Sequence, residues 1–197
     1  MIENANARTD VYSLEYERHH KIQATDRVLD LGAHVGYFTQ LIAPRCRFVV
    51  ALEPHPENFA SLKERCRFTA NALLVNAAAF HASGKGRLYE CPANDGAHSL
   101  FKHGGCSEVF HQVPTVDIGP WLCALGFIPD FIKIDTEGAE GAIIESLLHV
   151  GIVADMAVEC HDLMLYWRCR NAAEAAGMKW LPQVEHVGVC WANKSAL

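Results

Sequence analysis

The chain has 197 residues, of which 50% are hydrophobic and 20% charged, and its formal net charge at pH 7 is -6. This length predicts a single domain over residues 1–197, large enough to bury a substantial core. The negative charge and the scattering of the 17 Lys and Arg residues argue against a nucleic-acid partner and against a membrane-surface site.

The same composition sets expectations about compartment. No apolar stretch reaches the roughly 18 to 20 residues of a membrane span, and the polar segment 1–10 lacks the apolar core of a secretory signal. The 8 cysteines form no Cys-x-x-Cys pair, and several lie in apolar runs that are typical of packed, reduced thiols. We therefore expect a reduced, cytoplasmic protein, and the sequence leaves its oligomeric state open.

Short apolar runs alternate with helical patterns along the chain, which predicts βαβ units and a mostly parallel sheet. In order, the first half predicts a short helix over 12–21, a strand over 28–31, a helix over 37–43 ended by a proline, a strand over 48–52, a helix over 57–70 and a strand over 73–76. The second half predicts an added strand over 87–90, an extended segment over 113–118, a short helix over 121–125, a strand over 131–134, a helix over 139–149, a strand over 154–160, a helix over 163–176 and a terminal antiparallel hairpin from 180–184 and 187–191. Residues 92–111 lack periodicity and are rich in small polar residues, so we expect a mobile lid over the acceptor.

The segment 27–38 predicts a buried strand, a glycine turn and a helix. Gly32 and Gly36 let the backbone of this turn approach a ligand closely, at the carboxyl end of a parallel strand, where open α/β sheets bind ligands. Glu53 follows the next predicted strand, where an acid accepts hydrogen bonds from two ribose hydroxyls. These residues predict a nucleoside-containing cofactor across the first two strands, and a purely structural glycine corner is the alternative.

The spacing of the glycines separates two classes of cofactor. The dinucleotide fingerprint Gly-x-Gly-x-x-Gly needs glycine where this chain has His34 and Tyr37. S-adenosylmethionine has no phosphate and needs an acid near its amino group, and Asp30 stands where the turn opens. We therefore predict S-adenosylmethionine, with an NAD-dependent oxidoreductase as a less favoured alternative.

A second group of acids follows the strand over 131–134. Asp135 comes directly after four strand residues, and because a buried unpaired carboxylate is costly, we predict a functional role for it. Glu137 and Glu140 fall in the first turn of the next helix. Compensation of the helix dipole is the preferred explanation for Glu140 and an equal alternative to function for Glu137.

The strand over 154–160 ends in a further pair of polar residues. Glu159 and His161 are two apart and project to one side, and since neighbouring strands lie about 4.8 Å apart, we expect both to converge with Asp135. His161 is the candidate general base because its unperturbed pKa lies near operating pH, and a structural, hydrogen-bonded histidine is the alternative. The ligand types suit a divalent metal, but the spacing matches no closed metal motif, so no metal is predicted. The histidines of the long loop also lack ligand spacing and are expected to line or cover a polar substrate site: His98, His103 and His111.

These segments together resemble the FkbM-type family of S-adenosylmethionine-dependent methyltransferases. The resemblance covers about residues 27 to 161 and rests on segments 28–36, 51–56, 75–78, 116–117 and 132–140 together with Ser99 and Glu159. The pieces Glu-Pro-x-Pro and Lys-Ile-Asp-x-Glu-Gly-x-Glu are the more specific ones. One departure is His34, which stands where the family usually has Asn.

The resemblance implies an α/β, Rossmann-like class I methyltransferase fold, with a seven-stranded, mostly parallel sheet and an antiparallel terminal strand. It also implies S-adenosylmethionine as cofactor and O-methylation of a hydroxyl on a small molecule such as a sugar or polyketide. A non-catalytic subunit that binds the cofactor and positions a partner is the alternative from a different functional class. The residues expected to bind the cofactor are Asp30, Gly32, Ala33, His34, Gly36, Glu53, Asn76 and Ala77; the expected catalytic residues are Asp135, His161 and Glu137; and the expected substrate-side residues are His98, Ser99 and Glu159.

Overall fold

The computed structural model describes residues 15–94, 96–182 and 188–194. Its strands are β1 Arg27–Leu31, β2 Phe48–Leu52, β3 Ala72–Val75, β4 Ala78–Phe80, β5 Gly84–Tyr89, β6 Phe110–Asp117, β7 Phe131–Ile134, β8 Asp155–Cys160, β9 Lys179–Leu181 and β10 Gly188–Asn193. Its α-helices are α1 Tyr37–Ile42, α2 Pro56–Arg65, α3 Ile118–Leu125, α4 Glu140–His149 and α5 Leu163–Ala175, and a 3-10 helix spans Ala43–Arg45.

Seven of the described strands form one sheet in the order β3-β2-β1-β7-β8-β10-β9. Strands β3, β2, β1, β7 and β8 pair in parallel, and β10 runs antiparallel to both β8 and β9. This arrangement confirms the predicted fold class, including the reversed terminal strand. The chain leaves β1 toward β2 and returns on the other side of β1 as β7, which places the switch in strand order beside the end of β1.

Both faces of this sheet are covered, because side chains alternate between them along each strand. Leu29 and Leu31 of β1 pack in one apolar cluster with side chains of α3, α4 and α5. Val28 belongs to a second cluster with Tyr16 and with side chains of α1, on the opposite face. Two-sided burial explains why the parallel strands read as near-continuous apolar runs.

A second sheet, of three strands in the order β4-β6-β5, is only partly predicted by the sequence. The predicted strand over 87–90 is the end of β5, and the extended segment over 113–118 lies largely within β6. Strand β4 is not predicted, because it has three residues and follows β3 after a gap of two. Its pairing with β6 is parallel, and β5 pairs with β6 antiparallel.

The helix boundaries differ from prediction mainly at two places. Helix α2 ends at Arg65 rather than at residue 70, because a turn closed by the Thr69 amide on the Cys66 carbonyl redirects the chain toward β3. Of the predicted helix over 12–21, residues 15–16 are helical and residues 17–19 form a turn and bends, and residues 12–14 lie outside the described part. The terminal hairpin is present as the β9–β10 pair, with residues 183–187 also outside it. No helix of the described segments is long and apolar enough to cross a membrane.

One pair of cysteines departs from the expectation of reduced thiols. Cys91 and Cys106 form a disulfide, with Cα atoms 4.2 Å apart across a sequence separation of 15. The spacing alone does not reveal this pair, because disulfide geometry depends on how the loop between the two residues folds. The free cysteines of the described part, most of them buried, are Cys46, Cys66, Cys123, Cys160, Cys169 and Cys190.

Candidate functional site

A cavity of about 420 Å³ lies at the carboxyl ends of β1, β2, β7 and β8. Its size falls within the range of small-molecule binding sites, about 300 to 1,000 Å³. The turn after β1, the ends of β2 and β7, strand β4 and the long loop after β5 all contribute to its wall. The cavity therefore occupies the position at which open α/β sheets bind their ligands.

The turn after β1 is held in a conformation that few residues tolerate. Gly32 has a φ of 75°, and a Cβ atom there would lie 1.7 Å from the carbonyl oxygen of Asp135. Gly36 has a φ of 89°, and a Cβ atom there would meet Leu62 at 2.5 Å. His34 adopts a left-handed φ of 51° between them, a conformation in which histidine and asparagine are enriched among non-glycine residues. The backbone conformation therefore requires both glycines. At the position between them, where the family usually has Asn, His34 can adopt the same left-handed conformation.

Glu53 is buried at the tip of β2, and its carboxylate organises two turns. One oxygen accepts the His34 amide at 2.8 Å and the other accepts the His55 amide at 2.8 Å. Burial raises the pKa of Glu53 to about 7, although both amide hydrogen bonds act to lower it. Each carboxylate oxygen has a second lone pair, so Glu53, which lines the cavity, retains the capacity to accept hydroxyl groups.

Asn76 and Ala77, also predicted to bind the cofactor, lie outside the described lining of the cavity. The Asn76 amide donates to the carbonyls of Glu53 at 2.8 Å and Pro54 at 3.1 Å. Asn76 therefore fixes the turn that presents Glu53, and the two alanines that follow Ala77 reach the cavity in its place: Ala78 and Ala79.

Asp30 is fully buried and is not part of the described cavity wall. Its carboxylate accepts the Thr39 hydroxyl at 2.6 Å and lies 3.4 Å from the ammonium of Lys133. That ammonium donates to the Gly32 carbonyl at 2.6 Å and lies 3.3 Å from Asp135. Burial lowers the pKa of Lys133, but the surrounding carboxylates raise it by more, so Lys133 is charged. Asp30 thus reaches the cavity through Lys133, which does line it.

Tyr16 joins the acids at the ends of β7 and β8. Its hydroxyl lies 2.7 Å from a Glu159 oxygen and 3.3 Å from an Asp135 oxygen, and all three residues line the cavity. The pKa of Glu159 is raised by burial and by the charge of Asp135. Two carboxylates and one phenol therefore face the same part of the cavity.

His161 lies beside these acids, as predicted. Its Nε2 is 3.2 Å from Glu137 and 3.8 Å from Asp135, and its Nδ1 is 3.9 Å from Glu140. Burial lowers the pKa of His161, but the hydrogen bond to Glu137 and the three negative charges raise it to about 9. The imidazole is therefore protonated at neutral pH, and His161 is absent from the described residues that line the cavity.

The loop that carries Glu137 is held by two buried groups. The Glu140 carboxylate accepts hydrogen bonds from the backbone amides of Thr136 at 2.8 Å and Gly138 at 2.9 Å, so it stabilises the loop before α4. Ser99 is fully buried, donates its hydroxyl to the Glu137 carbonyl at 2.5 Å and accepts the Phe101 amide. Glu137 itself has a left-handed φ of 56°. Ser99, predicted on the substrate side, thus ties the long loop to the Glu137 backbone.

The long loop between β5 and β6 forms one wall of the cavity. The residues of this loop that line it are Asn94, Gly96, His98 and Leu100. The His98 ring accepts the Cys91 amide at 3.1 Å and stacks on His55 at 4.1 Å between ring centroids. His98 therefore lines the cavity, whereas His103 and His111 lie outside its described lining.

The comparison with known protein families decides the assignment. The profile of the "Methyltransferase FkbM domain" matches residues 30–167, well over half of the chain. The chain belongs to the FkbM methyltransferase family. Membership confirms the predicted family, and it agrees with the predicted cofactor, S-adenosylmethionine. No curated protein sequence matches this chain significantly.

Solved structures similar to this FkbM-family chain share its fold at low sequence identity. An FkbM methyltransferase from Methylobacillus flagellatus is 13% identical with a TM-score of 0.57; the match covers 92% of this chain and 47% of that one. This chain thus spans about half the length of that protein. A precorrin-6y C5,15-methyltransferase from Geobacter metallireducens is 14% identical with a TM-score of 0.57, covering 96% of this chain and 86% of that one. Fibrillarin from Aeropyrum pernix, crystallised with natively bound S-adenosyl-L-methionine, is 11% identical with a TM-score of 0.54, covering 95% and 74%.

Two residues of this FkbM-family site are not predicted from the sequence. Lys133 lies inside the recognised Lys-Ile-Asp segment but reads as an interruption of an apolar strand. The signal that could have found it is the cost of burying an unpaired charge in a parallel strand. Tyr16 gives no local signal, because it lies 119 residues from Asp135.

Proposed function

We propose that this chain is an O-methyltransferase that transfers the methyl group of S-adenosylmethionine to a hydroxyl of a small molecule. The observation that carries the proposal is the pair of carboxylates, Asp135 and Glu159, in the same cavity as the Glu53 turn. One end of the cavity thus suits a nucleoside, and the other suits an acceptor that loses a proton.

The residues around the β1 and β2 tips fit the cofactor. The Gly32 turn brings backbone to the cavity wall without a side chain, and Glu53 offers acceptor lone pairs for ribose hydroxyls. When bound, S-adenosylmethionine supplies an electrophilic methyl group. The Lys133 ammonium bonds both the Gly32 carbonyl and the Asp135 carboxylate, so it fixes the position of the β1 turn relative to the acids after β7.

Proton removal falls to the carboxylates rather than to His161. A general base must lie within hydrogen-bond reach of the acceptor hydroxyl, and Asp135 and Glu159 line the cavity. The raised pKa of Glu159 makes its carboxylate a stronger base than an ordinary glutamate. The Tyr16 hydroxyl, close to both acids, orients them, and positioning of the reactants supplies much of the rate enhancement. His161, as an imidazolium, compensates the charge of Glu137 and Asp135 and acts as a positioning residue.

The charge of the cavity wall supports a small neutral or cationic acceptor and disfavours nucleic acid. Four carboxylates line the end of the cavity that contains Asp135 and Glu159. The ammonium of Lys133 already forms ion pairs with Asp30 and Asp135. A polyanion gains affinity from unpaired Lys and Arg side chains, and this wall presents acids instead. The carboxylates concerned are Glu15, Asp135, Glu137 and Glu159.

Calorimetric titration with S-adenosylmethionine, its demethylated product and NAD tests the cofactor assignment. We expect S-adenosylmethionine and its demethylated product to bind and NAD not to bind. Binding of NAD without binding of the other two compounds would indicate an oxidoreductase. Methyl transfer to a panel of sugars, polyketide alcohols and RNA then tests the acceptor class.

The Asp135→Asn variant tests the chemistry. We expect its turnover to be about 10²-fold lower than that of the wild type, while Glu174→Gln on the exposed surface of α5 serves as a matched control. Cofactor binding without transfer to any acceptor, and no effect of Asp135→Asn on any measurable property, would favour a non-catalytic cofactor-binding subunit.

A further inference from the structure

Three metal-ligand side chains from separate segments meet near the rim of the cavity. His55 precedes α2, Glu90 follows β5, and His111 lies in β6. One potential ligand atom from each lies within 4.8 Å of the others. Glu90 and His111 are in direct contact at 2.7 Å, and the rings of His55 and His111 meet edge-on at 4.9 Å.

The composition of this group is that of a transition-metal site. Two imidazoles and one carboxylate suit zinc and similar divalent metals, and three protein ligands with an open fourth position are a common zinc arrangement. An ordinary ion pair accounts for Glu90 and His111 but not for His55, which is buried next to them. His98 stacks on His55 as a third imidazole at 4.1 Å between ring centroids.

Among the described residues, the His55 ring nitrogens have one long hydrogen bond that competes with a metal. Its Nδ1 accepts the Asn58 amide at 3.4 Å, which is longer than the usual 2.7 to 3.2 Å of an N–H···O bond. Coordination of a metal through Nε2 leaves this capping contact in place, and coordination through Nδ1 exchanges it for a coordinate bond. The exchange is therefore inexpensive for the start of α2.

We propose that His55, Glu90 and His111 bind a divalent transition metal of the zinc class. The metal joins the rim formed by β5 and β6 to the turn that presents Glu53, because the Glu53 carboxylate accepts the His55 amide at 2.8 Å. Binding thus immobilises the turn at residues 53–58 in addition to the rim.

A neighbouring group offers a competing site that the experiment must separate. Cys91, His103 and Cys106 also have ligand atoms within 4.8 Å of one another. Cys91 and Cys106 are paired as a disulfide, so a metal there requires both thiols to be reduced and deprotonated. Sulfur ligation is distinguishable from nitrogen and oxygen ligation by the absorption spectrum of Co²⁺.

The test is titration of the full, chelator-treated chain with Zn²⁺ and Co²⁺ by calorimetry, elemental analysis and absorption. We expect one equivalent to bind, with ligand-field bands of Co²⁺ and without a thiolate charge-transfer band. His111→Gln and Glu90→Gln are each expected to weaken binding about tenfold or more. His149→Gln, an exposed histidine at the end of α4, is the matched control and is expected to bind as the wild type does.

A second readout does not depend on variants or on activity. Zn²⁺ is expected to slow amide hydrogen exchange at residues 53–58 of the wild-type chain. The absence of binding, a thiolate band, undiminished affinity in both ligand variants, or loss of binding in Cys106→Ser would each overturn the assignment. None of these results depends on S-adenosylmethionine binding, so the metal site and the proposed function fail independently.

Discussion

Replacement of His161 by Gln is expected to destabilise the protein in a pH-dependent way. In the folded chain the pKa of His161 is raised from 6.5 to about 9, so folding favours the protonated imidazole. The contribution is fully present below pH 6.5 and is lost as the pH rises through 9. The shift of about 2.5 units corresponds to about 3 kcal/mol at most, at 1.36 kcal/mol per unit.

The magnitude at each pH follows from the same two pKa values. Linkage gives a stabilisation of about 3 kcal/mol at pH 6, about 2 kcal/mol at pH 7.5 and about 0.4 kcal/mol at pH 9. The His161 side chain is 28% exposed, so solvent screening makes these figures upper values. Glutamine keeps a polar side chain of similar length without a titrating group.

Denaturant unfolding of the wild type and His161→Gln at these three pH values measures the difference directly. We expect the gap in the free energy of unfolding to be largest at pH 6 and to shrink by most of its value by pH 9. His149→Gln, an exposed control, is expected to show a small gap without this trend. A gap that does not change between pH 6 and 9 would mean that His161 is not a folded-state imidazolium, and its role as a neutral base would return.

Three further results are expected. Glu53→Ala is expected to weaken S-adenosylmethionine binding by one to two orders of magnitude, about 1.4–2.8 kcal/mol by calorimetry, and unchanged affinity in the variant would remove Glu53 from the ribose site. The affinity of the wild type is expected to fall as the pH drops below about 7, the pKa of Glu53, because the protonated carboxyl accepts fewer hydroxyl hydrogen bonds. Gly32→Ala is expected to cost about 3 kcal/mol or more in denaturant unfolding, because the new methyl group meets a backbone carbonyl and the φ is positive; a variant as stable as the wild type would contradict the close approach of this turn to Asp135. Residues 92–111, the predicted lid, are expected to exchange their amides more slowly when cofactor and acceptor bind, and equal protection in both states would reject a lid.

The parts of the fold that are predicted well are those with a strong local signal. The strands over 48–52 and 131–134 match β2 and β7 residue for residue, since each is a mainly apolar run that an acidic residue follows. The convergence of Asp135 with His161 also follows from sequence, because each residue follows a strand and the two strands are neighbours. Elements with short or mixed patterns, such as β4, give no comparable signal.

The parts that are not predicted depend on contacts between distant segments. Sequence indicates an imidazole near neutral pKa at His161, but the three carboxylates around it reverse that expectation. The direction of the Asp30 side chain, toward Lys133 rather than toward the cavity, depends on the pairing of β1 with β7. Tyr16 reaches Asp135 only because the segment before β1 packs against the same face of the sheet.

The pair formed by Asp30 and Lys133 has a consequence for how the central strands find each other. The two residues are direct partners in the pairing of β1 with β7, and Lys133 alternates with Ile132 and Ile134, which face the larger apolar cluster. A slip of β7 by one residue would place the ammonium among those apolar side chains and leave both charges unpaired, since the side-chain period of a strand is two. The buried ion pair therefore penalises a shifted pairing of β1 with β7, and it secures the alignment of the β1 turn with Asp135 before any ligand is present.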